Sequence, residues 1–163
     1  MRRARKLTMA VQYGSRARGL PTPAQLRRWA RAALHDSHVA LERNARVMER
    51  GARITVRIVG SAEGRVLNRS FRGRDYATNV LSFRMRDRPA LEGDLALCAP
   101  VIAREARVQG KSLAAHYAHL VVHGVLHLQG HDHETRREAR RMERRESRIV
   151  TALGFPDPYQ EQG

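Results

Sequence analysis

A chain of 163 residues, 42% hydrophobic and 29% charged, holds enough apolar material for one core and little for a second. No apolar run approaches the roughly 20 residues of a membrane span, and a lone Cys98 excludes an intramolecular disulfide and leaves the reducing cytoplasm as the default compartment. The formal charge of +15 is almost all arginine, 29 of 31 basic residues, and falls as +9 over residues 1–50, +6 over 51–130 and zero over 131–163. Such an excess suits a polyanionic partner such as RNA, and equally an arginine-rich soluble surface.

Met1 to Lys6 is expected to be a loose basic tail ahead of a single domain over residues 7–160. Leu7 to Tyr13, broken by Thr8 and Gln12, lacks the apolar stretch of a secretory signal. The acid-free start, which runs to Asp36, would also suit a transit peptide. Against this, Thr22-Pro23 reads as an N-cap with proline at the first helical position. Behind it Leu26, Trp29, Ala30, Ala33 and Leu34 recur at helical spacing.

Arg53 to Val59 alternates polar and apolar residues, as a half-buried strand does. Gly60-Ser61 stops it, and Ser61 is expected to cap a short helix carrying Val66, Leu67 and Phe71. Asn79 to Phe83 reads as a second β segment. Leu95 to Cys98 reads as a third, behind the turn signal Glu92-Gly93-Asp94. Between them Arg84 to Leu91, polar and proline-bearing, is expected to be a mobile loop. From Pro100 the period becomes helical. Pro100 to Gln109 is ended by Gly110, and Ser112 caps a longer helix with an apolar stripe from Leu113 to Leu128 that Gly130 stops. A last helix runs from Glu134 to Leu153 before Gly154 and Pro156. Strands come mostly before helices, so the expected class is α+β with a small mixed sheet.

Six of the eight histidines fall between His116 and His133. His123 and His127 are four apart on a predicted helix, so both rings leave one face about a turn apart, where two imidazoles can share one tetrahedral metal. Gly130 can take the left-handed backbone that turns the chain back, after which His133 can supply a third nitrogen. Three protein ligands leave a fourth position for water, the arrangement of a catalytic zinc site. His131 is a rival third ligand near the mouth of the site. Asp132 either orients a ligand imidazole or caps the helix opening at Glu134. His116 and His119 read as supporting or surface groups. Histidines at 0, +4 and +10 with glycine at +7 match metzincin peptidase spacing. Those enzymes carry a glutamate base directly after the first histidine, where this chain has Gly124.

The histidine segment, the stretch Asn68-Arg69-Ser70-Phe71-Arg72-Gly73-Arg74-Asp75-Tyr76-Ala77-Thr78-Asn79-Val80-Leu81-Ser82-Phe83, and Gly93-Asp94-Leu95 together resemble the YbeY family of bacterial metal-dependent endoribonucleases. The resemblance spans roughly residues 20–160, including the ending Leu153-Gly154-Phe155-Pro156-Asp157-Pro158-Tyr159. It implies a small sheet with helices packed around it, and a zincin-like site on a helix and the following turn. It implies one zinc per chain on His123, His127 and His133, with His127 also in the catalytic machinery. It further implies an important arginine at Arg72, with Arg74 as a second nucleic-acid contact. The implied work is ribosomal RNA maturation (16S 3′-end processing) and ribosome quality control on the small subunit. Ribosomal proteins or a GTPase are candidate partners, and no membrane is involved. The chain departs from the family pattern at His131, where an aromatic residue is common, and in a last helix unusually rich in arginine. Glu134, Glu138, Glu143 and Glu146 offset most of those arginines, as on a solvated helix face.

Zinc lowers the pKa of its bound water to about 7 and can polarise a phosphoryl oxygen. Charge then builds on the phosphoryl oxygens, and a guanidinium fork suits it, a role for Arg72; otherwise Arg72 is a surface partner for Asp75. Asn79, Thr78 and Ser82 either line the cleft or satisfy backbone groups at a strand edge. A zinc peptidase and a non-catalytic ribosomal-RNA-binding factor are the competing readings.

Overall fold

The computed structural model describes residues 6–36, 51–86, 90–130 and 134–160. Its elements in chain order are β1 (Leu7–Tyr13), α1 (Pro23–Leu34), β2 (Ala52–Val59), α2 (Ser61–Arg72), β3 (Val80–Arg86), β4 (Leu91–Cys98), α3 (Ala99–Val108), α4 (Leu113–Leu128) and α5 (Arg136–Ala152). The four strands form one mixed sheet in the order β1-β2-β4-β3. β1, β2 and β4 are parallel, with Val11 beside Val56 and Val56 beside Leu95. β3 runs antiparallel to β4 at the edge, with Ser82 opposite Leu95 and Phe83 opposite Asp94. The α+β expectation therefore holds, with helices on both sides of a small sheet.

The alternation of the strands decides where the core lies. Leu7, Ile54, Val56, Ile58, Leu91, Leu95 and Leu97 are all buried in one cluster with Leu26 and Trp29 of α1 and Val121, Val125 and Leu128 of α4. The period of two puts these strand residues on one face, and each large apolar side chain there contributes roughly 1.5–3 kcal/mol of burial. On the other face α2 and α3 enclose a smaller cluster of Val59, Cys98 and Val101, with Leu67 and Ala77 packed against it. α4 is buried nearly all round, from Ala115 to Leu128, so it is the central helix of the fold.

Local chemistry explains the helix ends. Thr22 accepts from the Gln25 amide at 3.1 Å while the Gln25 side chain accepts from the Thr22 amide at 2.9 Å, a reciprocal cap with proline behind it. Ser112 caps α4 by accepting from the Ala115 amide at 3.1 Å. Thr135 and Glu138 form a second reciprocal cap at α5. That helix therefore opens at Arg136 with Thr135 as its cap, in place of the expected opening at Glu134 with Asp132.

Leu7 to Tyr13, to which the sequence assigned no element, is a sheet strand recognisable only through its pairing with β2. Three other expectations are corrected. Gly60 holds the cap position of α2, and Ser61 is its first residue. Glu92-Gly93-Asp94 lies inside β4 and not in a turn. Gly93 is small because α4 lies against it: a Cβ there would stand 2.6 Å from Leu128 Cδ2. The expected loop from Arg84 to Leu91 shrinks accordingly, since β3 continues to Arg86 and β4 starts at Leu91.

Candidate metal centre on the central helix

The four-residue spacing on α4 sets His119, His123 and His127 along one side of the helix. The Nε2 atoms of His123 and His127 lie 3.1 Å apart, with the rings tilted 72° to each other and their centroids 4.5 Å apart. α5 backs this row. Met142, Arg145, Glu146, Ile149 and Val150 form its buried face, so Glu146 is carried inward by the same period as the apolar residues. The carboxylate is 0% exposed. One oxygen meets Nδ1 of His123, and the other meets Nε2 of His119 at 3.2 Å and the Tyr159 hydroxyl.

Burial by itself would push the Glu146 carboxyl up, but its hydrogen bonds to His119 and His123 and their charges hold it down at about 2. Glu146 is therefore an anion that accepts from three donors. The Tyr159 phenol is pushed far above its ordinary range, first by burial and then by the Glu146 charge, so it keeps its proton and donates it. A metal ion held at Nε2 would take the His123 tautomer whose Nδ1–H is given to the carboxylate, with the Nε2 lone pair toward His127. Two imidazole nitrogens sharing one tetrahedral zinc at about 2.0–2.1 Å would stand about 3.3 Å apart. The observed pair fits that separation, and the carboxylate behind it fits the usual support of a metal-bound histidine. Among the described residues no group of three His, Cys, Asp or Glu side chains is assembled for a metal. His131, Asp132 and His133, the other expected members, lie outside the described residues.

β3 walls the opposite side of this row. The Ser82 hydroxyl donates to the Gly124 carbonyl at 3.3 Å, tying the strand to α4 beside His123. A Cβ on Gly124 would stand 2.7 Å from Leu95 Cδ2 and 3.2 Å from Ser82 Oγ. Gly124 is therefore a point of close approach between α4 and the sheet. The position that carries the glutamate base in the peptidases is held here by a glycine packed against the sheet, which adds a packing reason to the case against the peptidase reading.

The remaining sequence candidates are distributed around this wall. Arg72, the last residue of α2, is exposed and has no hydrogen-bond or ion-pair partner among the described residues. The pair with Asp75 is not made by Arg72; Arg65 takes that carboxylate with Nε at 2.7 Å and Nη2 at 2.8 Å. Arg74 Nη1 lies 3.5 Å from the Tyr76 hydroxyl. The end of α2 reaches β3 through Phe71, whose ring sits 4.6 Å from that of Phe83. Asn79 belongs to a different network. Its amide donates to Glu105 of α3 at 3.0 Å, its carbonyl oxygen accepts from the Val80 amide at 2.6 Å, and Glu105 also takes Nε2 of His116 at 3.0 Å.

Glu146 and Tyr159 were missed by the sequence reading, and His119 was placed only as a supporting or surface group. Glu146 read as one of four glutamates on a solvated face, whereas it is fully buried. The signal was present in the α5 period, because Glu146 stands at +4 from Met142 and −3 from Ile149. Arg136, Arg137, Arg140, Arg141, Arg144 and Arg148 are exposed as expected, while Arg145 is buried.

Fold and site together define a small α+β domain whose buried central helix carries a carboxylate-backed histidine pair beside an edge strand. A family model described as endoribonuclease YbeY matches residues 15–154, and the chain belongs to that family. It is 53% identical to the endoribonuclease YbeY of Aromatoleum aromaticum over 150 residues, 92% of this chain and 88% of the relative. It is 50% identical to that of Methylobacillus flagellatus over 154 residues, 94% of each chain. Among solved structures, the solution structure of a Thermotoga maritima protein superposes with a TM-score of 0.53 at 20% identity, over 94% of this chain and 100% of the other. That likeness speaks for the fold alone. No helix among the described residues is long and apolar enough to cross a membrane.

Proposed function

We propose that the chain is a metal-dependent endoribonuclease of the cytoplasm that cuts ribosomal RNA. In this reading residues 7–160 act as one domain behind a short basic tail, in small-subunit RNA maturation at the 16S 3′ end and in ribosome quality control. Family membership supports the endoribonuclease role. The observation that carries the metal is the pair of Nε2 atoms 3.1 Å apart, with Glu146 holding the far side of one ring. His123, His127 and His133 would hold one zinc ion. When bound, the ion would supply a Lewis acid and a water of lowered pKa.

The protein's own groups have separable tasks in this proposal. Glu146 accepts the Nδ1 proton of His123 and so keeps its Nε2 available as a donor atom. His119 and Tyr159 keep Glu146 charged and fixed. Arg72, on a helix end joined to β3 and with no side-chain partner among the described residues, would meet the phosphoryl oxygens of an RNA strand as charge grows on them. Asp132 and His131 would flank the third ligand at the mouth, and Arg74 would add a phosphate contact. The charge of +15 favours an RNA partner in general. Ribosomal proteins or a GTPase would supply the selectivity that phosphate contacts alone do not.

The test is metal analysis of the purified chain combined with cleavage of single-stranded RNA, with and without chelator. Expected are about one zinc per chain, cleavage abolished by chelator and restored by zinc, and joint loss of metal and cleavage in His127→Ala. Full zinc occupancy in that variant would overturn the ligand assignment. Binding of ribosomal RNA with no chelator-sensitive cleavage would instead identify a non-catalytic binding factor.

A further inference from the structure

We propose that Arg84 is an RNA-binding residue of this chain, gripping a substrate phosphate from the β3 wall beside the histidine row; the proposal rests on the endoribonuclease reading above. Arg84 lies two residues after Ser82 on β3, so the two share the face that meets α4. Ser82 fixes that face by its bond to the Gly124 carbonyl. Farther along, Nη1 of Arg84 stands 3.3 Å from the position a Cβ would take on Gly130. Gly130 in turn donates its amide to the His127 carbonyl at 2.9 Å. The guanidinium therefore rests over the C-terminal turn of α4, at the point where the chain leaves His127.

Three features argue for a ligand role over a structural one. Arg84 is exposed and has no carboxylate partner among the described residues. Its resting place at a helix C-terminus is favoured by the partial negative charge there, a weak and screened attraction that a phosphate can replace. Gly130, at φ +87°, has no side chain to occupy that space. The register of β3 against β4 also shifts between Arg84 and Arg86. Such a bulge bends a strand and re-aims its side chains. Past it, Arg86 stands opposite Glu92, and Arg84 opposite Gly93. Two arginines two residues apart are thus set in different surroundings, and only Arg84 is directed at the turn after His127. A planar fork there can take two oxygens of one phosphate, which an ammonium cannot do.

The experiment uses the full chain, stripped of metal by chelator, and a fluorescent single-stranded RNA oligonucleotide titrated over a range of salt. Arg84→Ala should weaken binding about tenfold and lower the salt slope by about 0.7, the value for one phosphate contact on a single strand. Arg84→Lys should keep the slope but recover only part of the affinity. Arg86→Ala, which removes the same charge nearby, should bind close to the parent. Melting temperatures of all three should match the parent, which separates the effect from misfolding. Parental affinity and slope in Arg84→Ala, or an equal loss in Arg86→Ala, would overturn the proposal while leaving an RNA-cleaving parent intact. A parent that neither binds nor cleaves RNA would overturn both this proposal and the reading beneath it.

Discussion

His123 gives its Nδ1 proton to a Glu146 carboxylate that is completely withdrawn from solvent. The bond crosses from one helix to another, so the ring's orientation is set by the packing of α4 on α5 and not by its own helix. It also settles which nitrogen of His123 faces His127. Burial alone would push the carboxyl up, and the hydrogen bonds and charges of His119 and His123 hold it down, with the Tyr159 hydroxyl as a third donor.

Glu146→Gln keeps the shape of this support and removes its charge. Carboxylate partners of metal-bound histidines are worth roughly 10–100-fold in metal affinity, so zinc should bind that much more weakly to Glu146→Gln. Titration against a chromophoric chelator measures this directly. Parental zinc affinity in the variant would show that Glu146 only fills space behind the ring.

The contact at Gly124 has a cost that can be measured by adding atoms to it. A Cβ there meets Leu95 Cδ2 at 2.7 Å, and Leu95 is itself buried. Gly124→Ala gains about 1 kcal/mol of helix propensity but overpacks a tight interface at a cost of about 1–3 kcal/mol, so a net loss of about 1 kcal/mol is expected. Gly124→Glu, which would restore the peptidase motif, adds a carboxylate to the same space and should cost more than about 3 kcal/mol. For a chain of this length that is a fall of roughly 6–12 °C in melting temperature by calorimetry. A stable Gly124→Glu protein with peptidase activity would reopen the alternative.

The central helix and the caps at Thr22 and Ser112 could be read from the chain because their signals are local, the second followed by the stripe from Leu113 to Leu128, whereas the cap of the last helix is Thr135 and not the expected Asp132. β1 was hidden because Leu7 to Tyr13 is short and acquires its meaning only beside β2, some 45 residues away. Gly93 looked like a turn because glycine signals backbone freedom and close packing with the same letter, and the cause of the packing, Leu128, lies on another element. The same reason hid part of the site. His123 and His127 are joined by a helical turn and were legible, whereas Glu146 and Tyr159 meet them only through tertiary packing. Even so, the α5 period marked Glu146 as inward-facing, and its charge concealed it among three exposed glutamates.

Arg72 offers a cleaner separation of activity from stability. Asp75 is already held by Arg65 in a two-point pair, so removing Arg72 breaks no ion pair among the described residues. Arg72→Ala should keep the parental melting temperature and zinc content and lose on the order of 10²-fold in kcat, the usual scale for one donor to transition-state charge. Single-turnover cleavage of RNA with saturating enzyme reads this without contribution from binding. Unchanged cleavage would remove Arg72 from the machinery.

Buried His116, bonded to the half-buried Glu105, predicts an acid-side loss of stability. Burial lowers the pKa of His116; the hydrogen bond and charge of Glu105 oppose this, while Lys111 and His119 reinforce it. The folded chain therefore holds His116 neutral at pH values where the unfolded chain, with an ordinary value near 6.5, takes up a proton. The unfolded state binds more protons in that window, so this contribution is complete above about pH 6.5 and is lost as the pH falls below it. In His116→Gln the side-chain amide can still donate to Glu105 but does not titrate. Melting temperatures of chelator-treated protein at pH 7.5 and 5.5 should fall more on acidification in the parent than in His116→Gln. Equal falls in both would mean that the loss belongs to other groups and that His116 already takes its proton in the folded chain.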